Sequence, residues 1–405
     1  MTAAAPTRGR MLAVLGLATA VHALSAASLF VIPAIAPDMA KALGASTELV
    51  GIQVAIVYFG ATTMSIFAGS IAVRFGGARA SQMGLTLGTA GLLLSVAGWM
   101  PLLALASLLL GLGYGMINPP TGTMLEKVAT ARTRGMLFSV KQTAVPAGGI
   151  IAGLVGPPVA LLWDWHAALL VMAGCLVLTI VALQFLIPVF PGSPASVNRE
   201  PLLRDVRLVW QRPALRWATI AACALAGVQF TLTTFLVTLL VEDLHFDLVA
   251  AGIGLSVFQA AALLGRIAWG VLADITRSGL VVLLVAFMVA VLTLVSLTFM
   301  TPLWPEWIFY LCLAALGAAA AGWNGVFVSE VVRMSPAGSA GRAIGGAFVF
   351  TFGGALLAPA AFSGLYGLAG SYTVTVWMLV SLAVLGVLSI ALAIALARRT
   401  PAPTA

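Results

Sequence analysis

Long apolar stretches recur along the whole chain, and they restrict the fold more than any other feature of the sequence. A stretch of about 18 or more apolar residues can cross the hydrocarbon core of a bilayer as a helix. Only 8% of the 405 residues are charged, whereas soluble domains carry about 25%. The sequence therefore predicts an all-α integral membrane protein. Its predicted spans 1 to 12, in chain order, cover residues 11–36, 48–72, 80–99, 102–124, 135–161, 166–189, 216–241, 249–273, 279–300, 307–330, 343–366 and 373–397.

The basic residues predict how these spans are oriented. Seventeen of the 20 lysines and arginines fall on the side that holds both termini, Lys41 falls on the other side, and Lys141 and Arg266 lie inside spans. Because cytoplasmic loops carry an excess of lysine and arginine, we expect both termini in the cytoplasm and the chain in the cytoplasmic (inner) membrane of a bacterium. The net charge of +8 is spread thinly over loops, so it does not predict nucleic-acid binding.

Residues that match at a nearly constant offset indicate two related halves. Gly69 matches Gly270 at an offset of 201, and Asn118 matches Asn324 at an offset of 206. A third match, in spans 5 and 11, has an offset of 208. Parallel repeats of this kind predict two six-helix bundles with a central cavity between them. The predicted parts are an N-terminal bundle (1–190), a cytoplasmic linker (191–215) and a C-terminal bundle (216–405).

The loops after spans 2 and 8 resemble the signature loop of the major facilitator superfamily, Gly-x-Leu-Ala-Asp-Arg-x-Gly-Arg. The copy after span 8, GVLADITR, is the better match, whereas the first copy has Val73 in place of the aspartate. The resemblance implies twelve transmembrane helices in two pseudo-symmetric six-helix bundles, and transport by alternating access. Within the superfamily, GRIAWGVLAD and SVKQTAVPAGGIIAG are similar to cyanate-permease-like and oxalate/monocarboxylate porters. The expected gating and motif residues are Gly69, Arg74, Gly270, Asp274, Arg277, Glu330 and Arg333, with Asp274 and Glu330 expected to form salt bridges with Arg277, Arg333 or Arg342.

Two cations lie inside predicted spans, and no acid is predicted at a comparable depth. Lys141 follows Arg134 by about 10 Å of helix, and Arg266 precedes Asp274 by about 12 Å, so both approach the membrane midplane. A buried cation of this kind is disfavoured by about 2.5–3.5 kcal/mol on insertion scales, and a bound anion would relieve that cost. Two alternatives stay open: Lys141 reaches back to water, or Arg266 binds backbone carbonyls. In the porters that the chain resembles, the arginine lies on span 8, as Arg266 does, but the lysine lies on span 11 rather than on span 5.

Other polar side chains recur at helical spacing inside the spans. Such residues face the interior of a bundle or a water-filled cavity, or they form hydrogen bonds between helices. The resemblance places these stripes on helices that line the transport cavity. The candidate substrate-binding residues are Lys141, Arg266, Gln142, Asn118, Tyr58, Gln259, Asn324, Tyr114, His22 and Gln229.

The charge pattern favours a secondary transporter of small organic anions, working by anion exchange or by proton-linked symport. The alternative is an efflux transporter for apolar or cationic compounds, lined by Tyr58, Tyr114, Trp323 and Phe350. We do not expect an enzyme, because the sequence has neither a Walker-type phosphate loop nor the cysteine and histidine spacing of a metal site. No cofactor or metal is expected. The expected partners are an anionic small molecule, the lipid bilayer and, in symport, protons, with the chain acting as a monomer.

Overall fold

The computed structural model describes residues 8–129, 133–185, 187–190, 202–336 and 339–399. Within these residues the backbone forms α-helices and one 3-10 turn, with no β-strand. The described α-helices are α1 (Arg8–Ala34), α2 (Ala36–Leu43), α3 (Leu49–Phe75), α4 (Gly77–Ser95), α5 (Met100–Gly115), α6 (Asn118–Glu126), α7 (Arg134–Gln142), α8 (Ala144–Leu162), α9 (Trp165–Gln184), α10 (Leu202–Trp210), α11 (Pro213–Glu242), α12 (Leu248–Thr276), α13 (Gly279–Phe299), α14 (Glu306–Gly322), α15 (Asn324–Met334), α16 (Ala340–Ala369) and α17 (Tyr372–Arg399).

Every predicted span coincides with a helix or with two consecutive helices. Within the described residues, eleven helical stretches are long and apolar enough to cross a membrane. Span 3 coincides with α4, which is less apolar because it carries Arg79 and Gln82. The buried Gln82 side chain donates to the carbonyl oxygen of Ile180 on α9 at 2.8 Å, so its amide is satisfied inside the protein. The chain therefore has the predicted all-α membrane fold.

Three predicted spans are each divided into two helices. Span 4 consists of α5 and α6, and span 10 consists of α14 and α15. These two breaks occur immediately before Asn118 and Asn324, the asparagines that match between the two halves. Span 5 breaks at Thr143, between α7 and α8. After Asn118 come Pro119 and Pro120, and proline lacks the N–H that would continue the preceding helix.

The described residues cluster into two compact units. The first takes the described residues within Met1–Thr47 and Ile56–Asn198, and the second takes those within Glu48–Ala55 and Arg199–Ala405. In the first unit α1 packs against α8, and in the second α11 packs against α16. Residues 191–201 of the predicted linker lie outside the described part of the chain, and the predicted bundle boundaries stay a prediction.

Glycines allow close helix contacts at matching positions in the two units. A Cβ on Gly111 of α5 would overlap the carbonyl oxygen of Val57 on α3. Likewise, a Cβ on Gly317 of α14 would overlap the carbonyl oxygen of Phe258 on α12. Small residues allow backbones to approach this closely. The two glycines are 206 residues apart and their partners are 201 apart, so the packing supports the internal repeat.

A second close contact repeats in the same way. A Cβ on Gly148 of α8 would lie 2.5 Å from the carbonyl oxygen of Ala23 on α1, and one on Gly354 of α16 would overlap that of Cys223 on α11. Gly156, two turns after Gly148, also faces α1, where a Cβ would lie 3.3 Å from side-chain methyl carbons. The small residues of α8 thus allow α1 to approach closely.

The predicted linker contains a helix, α10, which packs against α16. Asp205 on α10 accepts a hydrogen bond from Arg342 Nε at 2.9 Å, and the two side chains form a salt bridge. Val209 is fully buried, and Trp210 stacks on Phe350 with 5.6 Å between ring centroids. From the sequence this stretch is predicted only as a connection, whereas in the structure it forms part of the second unit.

Candidate functional site

Lys141 lies in the last turn of α7, with only 2% of its surface exposed. Its ammonium donates to the backbone oxygen of Asn118 at 2.9 Å and also to the side-chain oxygen of the same residue. Asn118 begins α6, so the break in span 4 supplies both acceptors. Among the described residues Lys141 forms no salt bridge. The ammonium is therefore buried against neutral oxygens, and it does not reach back to water.

The first unit also brings together two aromatic candidates. His22 on α1 is buried, and its ring centroid lies 5.9 Å from that of Tyr114 on α5. Tyr114 is half-buried, whereas Tyr58 on α3 is fully buried. Gln142, next to Lys141, is exposed.

In the second unit the candidate polar residues converge on Gln229 of α11. Its side-chain oxygen accepts hydrogen bonds from Trp323 Nε1 and Asn324 Nδ2, each at 3.2 Å. Asn324 Nδ2 also approaches the carbonyl oxygen of Ala321 at 3.4 Å. Gln229 and Trp323 are both buried. The sequence places Gln229 and Asn324 among the candidates, but it gives no sign that Trp323 shares their hydrogen bonds.

Arg266 is half-buried on α12, ten residues before Thr276, the last residue of that helix. Its Nε lies 3.4 Å from the carbonyl oxygen of Ala321, which is long for a hydrogen bond between nitrogen and oxygen. The alternative in which Arg266 binds a backbone carbonyl thus has one weak hydrogen bond, from Nε, in its support. Gln259, two turns earlier on the same helix, is buried.

The predicted gating salt bridges are formed only in part. Glu330 is buried and accepts two hydrogen bonds from Arg333, at 2.9 Å from Nε and at 2.5 Å from Nη2. Asp274 and Arg277 are exposed, and neither forms a salt bridge with a described residue. The expectation that Asp274 forms an ion pair is therefore wrong for this structure. Arg342, the third arginine expected to pair with these acids, binds Asp205 instead.

The remaining motif residues lie where little packs against them. A Cβ added to Gly69 or to Gly270 would meet nothing within 4 Å. Arg74 is exposed, with its guanidinium carbon 5.3 Å from the ring centroid of Phe75. Packing within the units therefore does not explain why glycine occupies these two positions, and a gating role for them stays a prediction.

Comparison with curated proteins finds relatives that are similar to part of the chain. The chain is 28% identical over 180 residues to the multidrug resistance protein MdtH of Proteus mirabilis (strain HI4320), which is 44% of this chain and 44% of that protein. It is 29% identical over 187 residues to the protein of the same name from Shigella boydii serotype 4 (strain Sb227), covering 44% of this chain and 46% of the relative. The match thus spans less than half of the length of these relatives.

Solved structures resemble the chain over nearly its whole length. A bacterial homolog of the human lysosomal transporter Spinster, in an inward-facing and occupied conformation, superposes with a TM-score of 0.76 at 14% identity, covering 98% of both chains. Its inward-facing and unoccupied form gives a TM-score of 0.73 at 15% identity, covering 97% of this chain and 98% of that one. At this identity the likeness shows the fold.

The sequence family is shown independently of these relatives. The family model described as Major Facilitator Superfamily matches residues 15–359, which is most of the chain. That match agrees with the helical membrane fold and with the repeated packing of the two units. The chain belongs to the Major Facilitator Superfamily and is an integral membrane transporter.

Proposed function

We propose that the chain is a secondary transporter of small organic anions, such as mono- or dicarboxylates, working by alternating access as an exchanger or a proton-linked symporter. The observation that carries this proposal is the buried ammonium of Lys141, which binds only neutral oxygens among the described residues. A small-molecule anion would supply the negative charge that the surrounding residues do not.

The cost of burying a charge favours an anion-binding role for Lys141 over a purely structural one. Removing an ion from water costs several kcal/mol even after the protein relaxes, and two hydrogen bonds to neutral oxygens offset that cost only in part. Most buried charges in membrane proteins are paired or functional. Lys141 has hydrogen-bond acceptors but no counterion among the residues that the structure describes, which is the arrangement expected of a cation that meets its counterion in transit.

Arg266 is proposed as a second cation for the same class of substrate. A guanidinium offers a planar pair of donors to a carboxylate, whereas an ammonium acts as a point charge. Whether one anion meets both cations stays a prediction from the sequence.

Counterflow in proteoliposomes tests the proposal. Vesicles containing purified protein are preloaded with acetate, lactate, oxalate or succinate, and uptake of the same labelled anion is measured. We expect preloading to accelerate uptake, and Lys141→Gln to reduce it at least tenfold. Lys41→Gln is the matched control, because Lys41 is an exposed lysine of the same unit. If Lys141→Gln and Lys41→Gln transport anions equally well, the proposal is wrong.

An efflux transporter for apolar or cationic compounds is the second candidate, supported by the name of the partial relatives. Of the aromatic residues expected to line such a path, Tyr58 and Trp323 are fully buried, and Tyr114 is half-buried. Ethidium accumulation in cells distinguishes the two functions. Efflux that survives Lys141→Gln but is lost in Tyr114→Leu would favour this candidate.

We also propose that the chain lies in a bacterial cytoplasmic membrane with both termini in the cytoplasm. The support is the distribution of lysine and arginine, together with bacterial relatives. A reporter fused to the C-terminus tests this orientation: a fluorescent protein that folds only in the cytoplasm should be bright, and alkaline phosphatase should be inactive.

A further inference from the structure

Lys141 can form hydrogen bonds only as a donor, and this determines which way the Asn118 side chain points. An ammonium group has three N–H donors and no acceptor. It binds the side-chain oxygen of Asn118 as well as the backbone oxygen. The carboxamide nitrogen of Asn118, with its two N–H groups, therefore points away from Lys141.

The two residues differ in exposure. Lys141 is 2% exposed, whereas the neighbouring Asn118 is exposed. Within the described part of the chain, the carboxamide nitrogen of Asn118 has no hydrogen-bond acceptor. The first unit therefore presents the N–H groups of Asn118 at its surface, and the charge of Lys141 lies behind them.

The buried charge makes these N–H groups selective for anions. Hydrogen bonds in a chain polarise one another, and they do so more strongly at low dielectric. Because the Lys141 ammonium binds the side-chain oxygen of Asn118, the N–H groups of the carboxamide become stronger donors. The same oxygen is then not available to bind a second cation. An oxyanion would form charge-assisted hydrogen bonds here, whereas a cation would be repelled.

The matching asparagine in the second unit points the other way. Asn324 uses its nitrogen inside the unit, donating to Gln229 and approaching the carbonyl oxygen of Ala321. Its side-chain oxygen is therefore the group that forms no hydrogen bond with a described residue. The residue that matches Lys141, at an offset of 208, is Val349, whose side chain cannot donate a hydrogen bond. The orientation of Asn118 thus follows from Lys141 and not from its place in the repeat.

We propose that Asn118, and not Lys141, makes the direct contact with the transported anion, through the two N–H groups of its carboxamide. Lys141 is then a positioning residue that fixes the carboxamide orientation and supplies positive charge from behind it. This inference rests on the proposed anion transport, because it assigns the contact within the same site.

The orientation of Asn118 can be tested without a ligand. The chain contains three asparagines, Asn118, Asn198 and Asn324, so 15N labelling restricted to asparagine side chains, on protein in nanodiscs, gives three carboxamide signals. Asn118→Ser and Asn324→Ser assign two of them. We expect the carboxamide protons of Asn118 to exchange with D2O at least tenfold faster than those of Asn324. Equal or slower exchange at Asn118 overturns the inference.

The contact is tested with acetate, lactate, oxalate, succinate, cyanate and nitrate, read by thermal stabilisation of the purified protein. For an anion that stabilises the wild type but not Lys141→Met, we expect Asn118→Ser to raise the Kd at least tenfold. We also expect the anion to shift the carboxamide signal of Asn118 and not that of Asn324. Lys141→Met should itself shift the carboxamide signal of Asn118. A lysine that stabilised the fold without contacting Asn118 would leave that signal in place.

The outcomes separate this inference from the proposed function. If Asn118→Ser binds the anion as tightly as the wild type, Lys141 makes the contact itself; the inference then fails and anion transport stands. If none of the six anions gives stabilisation that depends on Lys141, both fail. Should Asn118→Ser not fold, Asn198→Ser and Asn324→Ser assign the Asn118 signal by elimination. Its shift in the wild type then decides, because an unmoved signal under saturating anion overturns the inference.

Discussion

Glu330 on α15 lies directly against Gly279, the first residue of α13: a Cβ added to that glycine would come within 2.5 Å of the carboxylate oxygen Oε1. In the first unit the same place is taken by Met124, whose Cγ would lie 2.6 Å from a Cβ on Gly77, the first residue of α4. A carboxylate beside a helix N-terminus is stabilising by about 0.3–1 kcal/mol. One unit thus uses a buried acid, held by Arg333, where the other uses an apolar side chain.

This relationship predicts how variants of the pair will behave. We expect Arg333→Met to lower the Tm more than the double variant Glu330→Met/Arg333→Met does. The single change leaves a buried carboxylate without its partner, at a cost of about 1–2 kcal/mol, because Arg333 is 59% exposed and solvent already screens the pair. The double change instead installs the methionine that the first unit has. Thermal unfolding of the three proteins in one detergent measures this, and equal Tm values for Arg333→Met and the wild type would contradict it.

The salt bridge between Asp205 and Arg342 predicts that α10 can be released from α16. We expect Asp205→Asn to increase the rate of trypsin cleavage after Arg207, an exposed arginine of α10, about fivefold, because about 1 kcal/mol of local stability is lost. Raising the salt concentration should act in the same direction on the wild type, because the pair is only partly buried.

The fragments from this digestion are identified by mass spectrometry. Glu306→Gln is the matched control, since Glu306 is an exposed acid at the start of α14. If Asp205→Asn and Glu306→Gln are cleaved at the same rate, packing of Val209 and Trp210 holds α10 in place without the ion pair.

The sequence predicts the spans well because membrane helices are long and apolar throughout, and this determines where each begins and ends. It does not predict the breaks before Asn118 and Asn324. Pro119 and Pro120 are a local sign of the first break, but the residues around Trp323 give no comparable sign. The pairing of Lys141 with Asn118 depends on that first break, so the sequence identifies both residues without showing that they touch. Asp274 fails as an ion-pair partner for a related reason: spacing along a helix says nothing about which side chains face one another across helices.

The glycines at close helix contacts predict a contrast with the glycines of the signature loops. We expect Gly317→Ala to destabilise the protein by about 1–3 kcal/mol, because the new methyl group would overlap the carbonyl oxygen of Phe258. Gly270→Ala should fold as well as the wild type, or be up to about 1 kcal/mol more stable, since a Cβ there meets nothing within 4 Å. Expression level and Tm measure both changes.

The same pair of variants bears on gating. If Gly270 has the expected gating role, Gly270→Ala should lose transport while its Tm stays normal, because a normal Tm excludes damage to the fold. Full transport by Gly270→Ala would remove Gly270 from the gating residues. Gly111→Ala and Gly69→Ala repeat the comparison in the first unit, where the matching residues have the same surroundings.

Asp164, between α8 and α9, predicts a dependence of stability on pH. Its side chain caps α9 by accepting a hydrogen bond from the backbone N–H of Ala167 at 2.8 Å. That hydrogen bond holds the pKa of the Asp164 carboxyl below its ordinary value, and contacts with His166 act in the same direction. Because the folded pKa is the lower one, the cap contributes its full stability above the ordinary pKa of aspartate. The contribution is lost as the pH falls through the lowered pKa.

We therefore expect the Tm of the wild type to fall more steeply than that of Asp164→Asn as the pH drops through this window. Asparagine caps helices about as well as aspartate but does not titrate, so the two proteins should have nearly equal Tm values at neutral pH. Asp164→Ala should have a lower Tm than both at neutral pH, because it removes the cap altogether. Thermal unfolding followed across the acid range measures all three proteins. Parallel curves for the wild type and Asp164→Asn would show that the hydrogen bond from Ala167 does not favour the charged carboxylate.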